Sequence, residues 1–247
     1  MPSAAKRGFD RSKDGLLQPI DALSDYAYRL GVDDDLKFRK NKKTYQEISF
    51  EQLGFSFRKE EYIFNVADSD RKFIKDYLKS KGAQLGKSKK TIGINTGSGH
   101  RFAGKRLPAE TQLLLIEKFG KALGAQIFLL GGEDELERNE EIRKRSLYPV
   151  IATGSHSLKR FAAIVEHCDL VVSGDTTAMH VAIAAKVPVV AYFGSTCASE
   201  IELYGRGAKI VSDIDCSPCY KKICPIDEEC MKKMDAELIF KAAQEFL

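Results

Sequence analysis

Asp169-Leu-Val-Val-Ser-Gly-Asp-Thr-Thr-Ala-Met-His180 is the stretch whose reading decides the fold. Leu170 to Val172 form a short apolar run suited to a buried strand, Gly174 lets the backbone turn, and Thr176 to Ala185 read as a helix. A helix in that position aims its unpaired amides back at the turn, and such an end attracts anions. Asp175 adds an acceptor, Thr176 and Thr177 add hydroxyls, and His180 follows one turn later. Together they can hold a phosphate and a polyol, the two chemistries that a nucleotide sugar presents. Asp175 is equally a common helix cap, which needs no ligand.

The same unit recurs outward in both directions. Upstream, Thr91-Ile-Gly-Ile-Asn-Thr-Gly-Ser-Gly-His100 runs from an apolar strand into a glycine-rich turn, followed by Lys105 and Arg106. Pro108 to Leu123 is a predicted helix, with Leu113, Leu114, Ile116, Phe119 and Leu123 assigned to one buried face. Gly97 and Gly99 permit close approach of a phosphate, and Lys105 can neutralise it. The spacing is neither a Walker loop nor the dinucleotide fingerprint, so ATPase and dehydrogenase chemistry are unsupported. Ala125-Gln-Ile-Phe-Leu-Leu-Gly-Gly-Glu-Asp134 is a further strand and turn, leading into a charged helix to Arg145. Glu133 falls just past the strand's carboxyl end, where it can hold ribose hydroxyls or simply favour the helix dipole. Val150 to Ala152 (strand), Ser157 to His167 (helix) and Val187 to Phe193 (strand) complete the series. Alternating strands and helices with near-continuous apolar strands predict an α/β fold with a parallel sheet covered on both faces.

Gly174-Asp-Thr-Thr-Ala-Met-His180, Phe193-Gly-Ser-Thr196 and Cys216-Ser-Pro-Cys219 with Cys224 and Cys230 resemble the ADP-heptose lipopolysaccharide heptosyltransferases of glycosyltransferase family 9. The cysteine pattern is most similar to the heptosyltransferase II branch. The likeness covers residues 90 to 247 well and the first 90 loosely. It implies a GT-B architecture: a Rossmann-like carboxyl-terminal domain for the nucleotide sugar, here residues 86–247, facing an acceptor domain. Residues 1–85 are expected to be only part of that acceptor domain, with its start missing.

Residue by residue, the resemblance places Thr96, Gly97 and Ser98 at the diphosphate, although this turn departs in detail from the family's usual residues. It gives Lys105 a contact to the phosphates and Glu133 the ribose. Asp175 is implied to bind sugar hydroxyls, Thr176 and Thr177 the phosphate, and His180 belongs to the same element. Lys105, Asp175 and His180 are the implied catalytic residues. The family's general base follows the first strand of the acceptor domain. Asp10, Asp14 and Asp21 do not follow such a strand, and the base is assigned to none of them. The implied reaction inverts the anomeric carbon, moving heptose from ADP-heptose to the lipid A-linked inner core of lipopolysaccharide, with no cofactor and no metal. A non-catalytic nucleotide-sugar-binding remnant, a UDP-sugar transferase and an epimerase of GT-B type are the alternatives.

Residues 1–90 hold 20 Lys and Arg against 14 Asp and Glu, while the remainder is slightly acidic within a net charge of +4. A basic half suits a phosphorylated lipid headgroup or the inner face of the inner membrane as a peripheral contact, and equally a solvated lysine-rich surface. No nucleic-acid module is recognisable. Only Tyr62-Ile-Phe-Asn-Val66 reads as a strand in this half, followed by a helix from Ser69 to Lys81 and a Gly82 to Lys90 linker. Cys168 and Cys197 read as buried thiols. Cys216, Cys219, Cys224 and Cys230 allow a tetrathiolate metal site, two disulfides or a reduced packed loop. The charged start has no secretory pattern, which points to the cytoplasm and makes the reduced loop the default. A closing helix, Asp235 to Leu247, is expected to bury Leu238, Ile239, Ala242 and Phe246.

Overall fold

A computed structural model describes residues 6–86, 88–99 and 104–247. The chain divides into two compact units, one built from residues up to Glu60 with Cys197–Glu202, the other from Glu61–Thr196 with Leu203–Leu247. The division falls ahead of the glycine- and lysine-rich stretch at 82–90.

In the first unit, β1 (Phe9–Arg11) and β2 (Leu17–Pro19) form an antiparallel hairpin, followed by helices α1 (Asp25–Val32) and α2 (Tyr45–Leu53). None of these four was expected from apolar patterning. The α2 start is nonetheless written in the chain as Thr44-Tyr-Gln-Glu47. Glu47 N donates to Thr44 Oγ1 at 3.3 Å, and Thr44 N donates to Glu47 Oε2 at 2.6 Å. This capping box satisfies two amides that the helix leaves unpaired. Thr44→Ala is expected to cost about 1 kcal/mol of stability, read from the shift in urea midpoint at unchanged slope. Asp21 is likewise engaged, accepting from Ser24 N, Ser24 Oγ and Gly8 N.

The second unit opens with α3 (Asp68–Ser80), then β3 (Thr91–Asn95), α4 (Ala109–Leu123), β4 (Gln126–Leu130), α5 (Leu136–Arg145) and β5 (Val150–Ala152). It continues through α6 (Leu158–Val165), β6 (Leu170–Gly174), α7 (Thr177–Ala184), β7 (Val189–Phe193), β8 (Gly207–Val211), α8 (Glu229–Lys232) and α9 (Ala236–Gln244). The six strands are parallel in the order β5-β4-β3-β6-β7-β8. This is the doubly wound Rossmann order, whose direction reverses between β3 and β6. Every residue of β3, β4, β6 and β7 is buried, as expected for a sheet covered on both faces.

One face packs Ile92, Ile94, Ile127, Leu129, Leu170 and Val172 against α4 and α9. Phe119 of α4 meets Phe240 of α9 edge to face, with ring centroids 5.2 Å apart. On the other face α7 packs against β6 and β7. There α3 is fixed to α6 by Arg71, which grips Glu166 through two bonds of 2.7 and 2.9 Å, and by Arg160 Nε donating to Asp70 at 3.1 Å.

Several sequence expectations need correction. Residues Tyr62 to Val66 form no strand, because no neighbouring strand pairs with them, and Ile63 stands almost fully exposed. The buried stripe of α4 runs through Gln112, Leu115, Ile116 and Phe119, leaving Leu114 and Leu123 exposed. In α9 the buried residues are Ala236, Ile239, Phe240 and Ala243, and Leu238 faces outward. Strand β8 was not anticipated at all. Cys168 and Cys197 are buried, as expected, and all six cysteines are free thiols.

Candidate functional site

The carboxyl ends of β3 and β6 lie side by side at the point where the strand order reverses, so their two turns flank one crevice. Asn95, the last residue of β3, joins them. Its Nδ2 donates to Gly97 O at 2.7 Å and to Thr176 Oγ1 at 3.2 Å. Ser173 Oγ lies 3.0 Å from the same threonine hydroxyl. With its hydroxyl engaged in this way, Thr176 makes no side-chain bond to the first amides of α7, although it is the cap residue. Those amides open at a cavity of about 450 Å³, within the range of small-ligand sites.

Its walls include Asn95, Gly97, Ser98, Gly99, Lys105, Asp175, Thr176 and Thr177. Lys105 Nζ donates to Asp175 Oδ2 at 3.1 Å and to Asp175 O at 3.3 Å, both side chains being less than one-fifth exposed. Gly174 makes this approach possible. A β-carbon there would stand 2.7 Å from the Lys105 carbonyl oxygen, inside any real contact distance.

His180, one turn along α7, places Nε2 3.9 Å from Asp175 Oδ1. On its other side Nδ1 lies 3.3 Å from the Tyr62 hydroxyl, whose ring stacks on the imidazole. Asp175 is therefore set between Lys105 and His180. Burial pushes the His180 pKa below its ordinary value, and this outweighs the Asp175 carboxylate, which acts in the opposite direction. The neutral ring is thus favoured in the folded state. His156 and His167 are lowered by burial too. Because the unfolded chain binds protons that these folded rings refuse, stability is expected to fall as pH drops through and below about 6.5. An NMR titration of His180 is expected to give a midpoint below 6.5, and a midpoint above it would mean that Asp175 dominates.

The structure brings together Gly97, Ser98, Lys105, Asp175, Thr176 and Thr177, and it separates three other expected site residues from the cavity wall. Thr96 is fully buried, its Oγ1 donating to Asn139 Oδ1 inside the domain, so its side chain cannot meet a ligand. Glu133 is exposed outside the wall. A 3-10 turn over Glu133–Glu135 carries the chain around, and Glu135 lines the cavity instead, accepting from Gly99 N and Gly132 N at 2.9 Å each. His180 is not part of the cavity wall, and its Nε2 stands 3.9 Å from Asp175 Oδ1, which is. His100 lies outside the described residues.

Sequence reading also missed Gly131, Gly132 and Glu135 after β4, and His156, Leu158 and Phe161 after β5. The signal was available, since each follows the carboxyl end of a parallel strand. Cys216, Cys219, Cys224 and Cys230 line a separate small cavity of about 20 Å³. Burial and the neighbouring sulfurs push the Cys230 thiol up to about 11. Among the described residues, no three His, Cys, Asp or Glu side chains are grouped to hold a metal ion. Among the same residues, no helix is long and apolar enough to cross a membrane.

The family model described as glycosyltransferase family 9 (heptosyltransferase) matches residues 6–229. Lipooligosaccharide heptosyltransferase 2 of Campylobacter jejuni is 28% identical over 169 residues, covering 66% of this chain and 53% of that protein. The chain thus spans about half the length of the curated relatives it matches. Among solved structures, a family 9 glycosyl transferase from Veillonella parvula aligns with a TM-score of 0.64 at 23% identity, covering 85% of this chain and 61% of that one. The ADP-heptose lipopolysaccharide heptosyltransferase II of E. coli aligns with a TM-score of 0.54 at 16% identity, covering 74% and 52%. At these identities the structural matches establish the fold, an α/β fold of GT-B type.

Proposed function

Because the chain belongs to glycosyltransferase family 9, we propose that its β3–β6 cavity binds ADP-heptose. We further propose that the protein transfers the heptose, with inversion, to the inner core of lipopolysaccharide. The carrying observation is that Lys105, Asp175 and the start of α7 meet in one cavity at the reversal of strand order. The likeness to an E. coli ADP-heptose lipopolysaccharide heptosyltransferase II supports the donor.

In this scheme the diphosphate lies over the Gly97–Gly99 turn and the first amides of α7. Charge grows on it as the bond to the anomeric carbon breaks. Lys105 and those amides then stabilise the departing group more than the bound donor, which is how such contacts raise a rate. Asp175 repels the diphosphate, so its role is to orient Lys105 and accept from sugar hydroxyls. Glu135, held by two backbone amides, is the carboxylate placed to meet the ribose. The acceptor is proposed to engage the unit built from residues up to Glu60 with Cys197–Glu202, with peripheral contact to the inner membrane and a cytoplasmic location.

Calorimetry with ADP-heptose, ADP and a UDP-sugar tests the donor. Micromolar binding of the adenosine ligands with weaker uridine binding is expected, and preference for uridine would remove the proposal. Binding without turnover is the second reading. It is favoured by the early carboxylates, since Asp21 is committed to Ser24 and Gly8 while Asp10 and Asp14 stand exposed. Release of ADP from ADP-heptose in the presence of a heptose-deficient lipopolysaccharide acceptor separates the two.

A further inference from the structure

Arg138 of α5 is half-buried, and it is not part of the cavity wall. Its Nε donates to Thr96 O at 2.9 Å, and its Nη2 donates to Leu107 O at 2.8 Å and to Gln112 Oε1 at 3.3 Å. Thr96 and Leu107 bracket the segment that carries the Gly97–Gly99 turn and Lys105. One guanidinium therefore ties both ends of that segment to a single helix.

The Thr96 carbonyl is doubly held, since Gln112 Nε2 also donates to it at 3.0 Å, and Gln112 is fully buried. A trans peptide is planar, with its C=O and N–H pointing in opposite directions. Fixing Thr96 O toward Arg138 and Gln112 in the interior accordingly turns Gly97 N–H away from them, and Gly97 lines the cavity. Charge acts in the same sense. Among the described residues, the hydrogen bonds of Arg138 run to neutral oxygens, so its positive charge lies beneath the turn without a hydrogen-bonded carboxylate.

We propose that Arg138 is a positioning residue for the diphosphate, setting the direction of the Gly97 amide and the place of Lys105 while adding positive potential under the anion. The proposal rests on the nucleotide-sugar reading of the cavity and deepens it. It also explains why Thr96 is spent on the interior: its carbonyl, rather than its hydroxyl, serves the ligand.

The test measures binding of ADP, adenosine and inorganic pyrophosphate to the full chain and to Arg138→Gln, Arg138→Lys and Gln112→Met, with circular dichroism and thermal unfolding for each. Arg138→Gln is expected to lose about 10- to 100-fold in affinity for ADP and pyrophosphate, the size of a charge-assisted contact, with adenosine changed less than about 2-fold. Arg138→Lys should recover part of the loss, and Gln112→Met should show a smaller loss of the same phosphate-dependent kind. Unchanged ADP affinity in Arg138→Gln, or equal losses for ADP and adenosine, would overturn the proposal. If Arg138→Gln does not fold, the same comparison in Arg138→Lys and Gln112→Met decides. A wild-type chain that binds pyrophosphate but not ADP, with the loss retained in the variants, supports this role while removing the nucleotide reading. Binding of neither ligand removes both.

Discussion

Lys105→Ala is expected to weaken binding of ADP by about 10- to 100-fold and to slow any transfer by more than it weakens binding. The ammonium is a partly buried donor already aimed by Asp175 at 3.1 Å, so little ordering cost remains when a phosphate arrives. On the proposed reading, a bound diphosphate shares its charge with solvent and with the α7 amides in the ground state. During transfer that charge increases, and a fixed cation gains value with it. A loss confined to KM would assign Lys105 to binding alone, whereas a fall in kcat assigns it to the departing group. Lys105→Arg is not a conservative control, because a planar fork cannot occupy the position of a point charge held between a carboxylate and a main-chain carbonyl. Calorimetry with ADP, followed by steady-state kinetics if turnover is present, measures both effects. Unchanged ADP affinity in the alanine variant would contradict the site as described.

Gly174→Ala is the second large effect. The added carbon would meet the Lys105 carbonyl oxygen at 2.7 Å and the Tyr192 ring at 2.9 Å, and both neighbours are confined. Tyr192 is 1% exposed in the sheet core, so the segment bearing Lys105 is the part that yields. Overpacking of this kind costs about 1–3 kcal/mol of stability. The functional consequence is larger, because displacing a catalytic group by about 1 Å can cost about 100-fold. The expected result is a folded protein with a modestly lowered unfolding midpoint and a much reduced affinity for ADP. Thermal unfolding read beside calorimetry checks it. A lowered midpoint with intact ADP affinity would show that the contact serves packing and nothing else.

The sheet was legible because burial on both faces forces long apolar runs. Ile92 and Ile94, Ile127 to Leu130, Leu170 to Val172 and Val189 to Phe193 announce themselves without any partner being known. Strand β8 was not, since Gly207-Ala-Lys-Ile-Val211 lies at an edge, is mostly half-buried, and so needs no continuous apolar sequence. The converse error at Tyr62 to Val66 has the same root: strand-forming residues make a strand only where another strand offers hydrogen bonds. In α4, a run of three leucines from 113 to 115 contains more apolar positions than one face can hold, and composition alone does not say which turns outward. The strand-to-helix turn at Gly174–Thr177 could be read because its glycine, carboxylate and two hydroxyls are contiguous in one short segment. That an acid after β4 faces the cavity was legible, but the 3-10 turn over Glu133–Glu135 decides that it is Glu135, and Arg138 was missed because its value arises from carbonyl oxygens 42 and 31 residues away.

The pairing of Lys105 with Asp175 also sets how the pocket responds to electrolyte. A lone lysine facing water draws an ionic atmosphere that an arriving anion must displace, and affinity then falls steeply with added salt. Here the compensating charge is built into the protein, 3.1 Å away and shielded from solvent. Mobile ions screen such a pair weakly. The pocket is therefore expected to discriminate by the placement of its dipoles and hydroxyls, and to keep much of its preference at ionic strengths where a bare cationic patch would lose it.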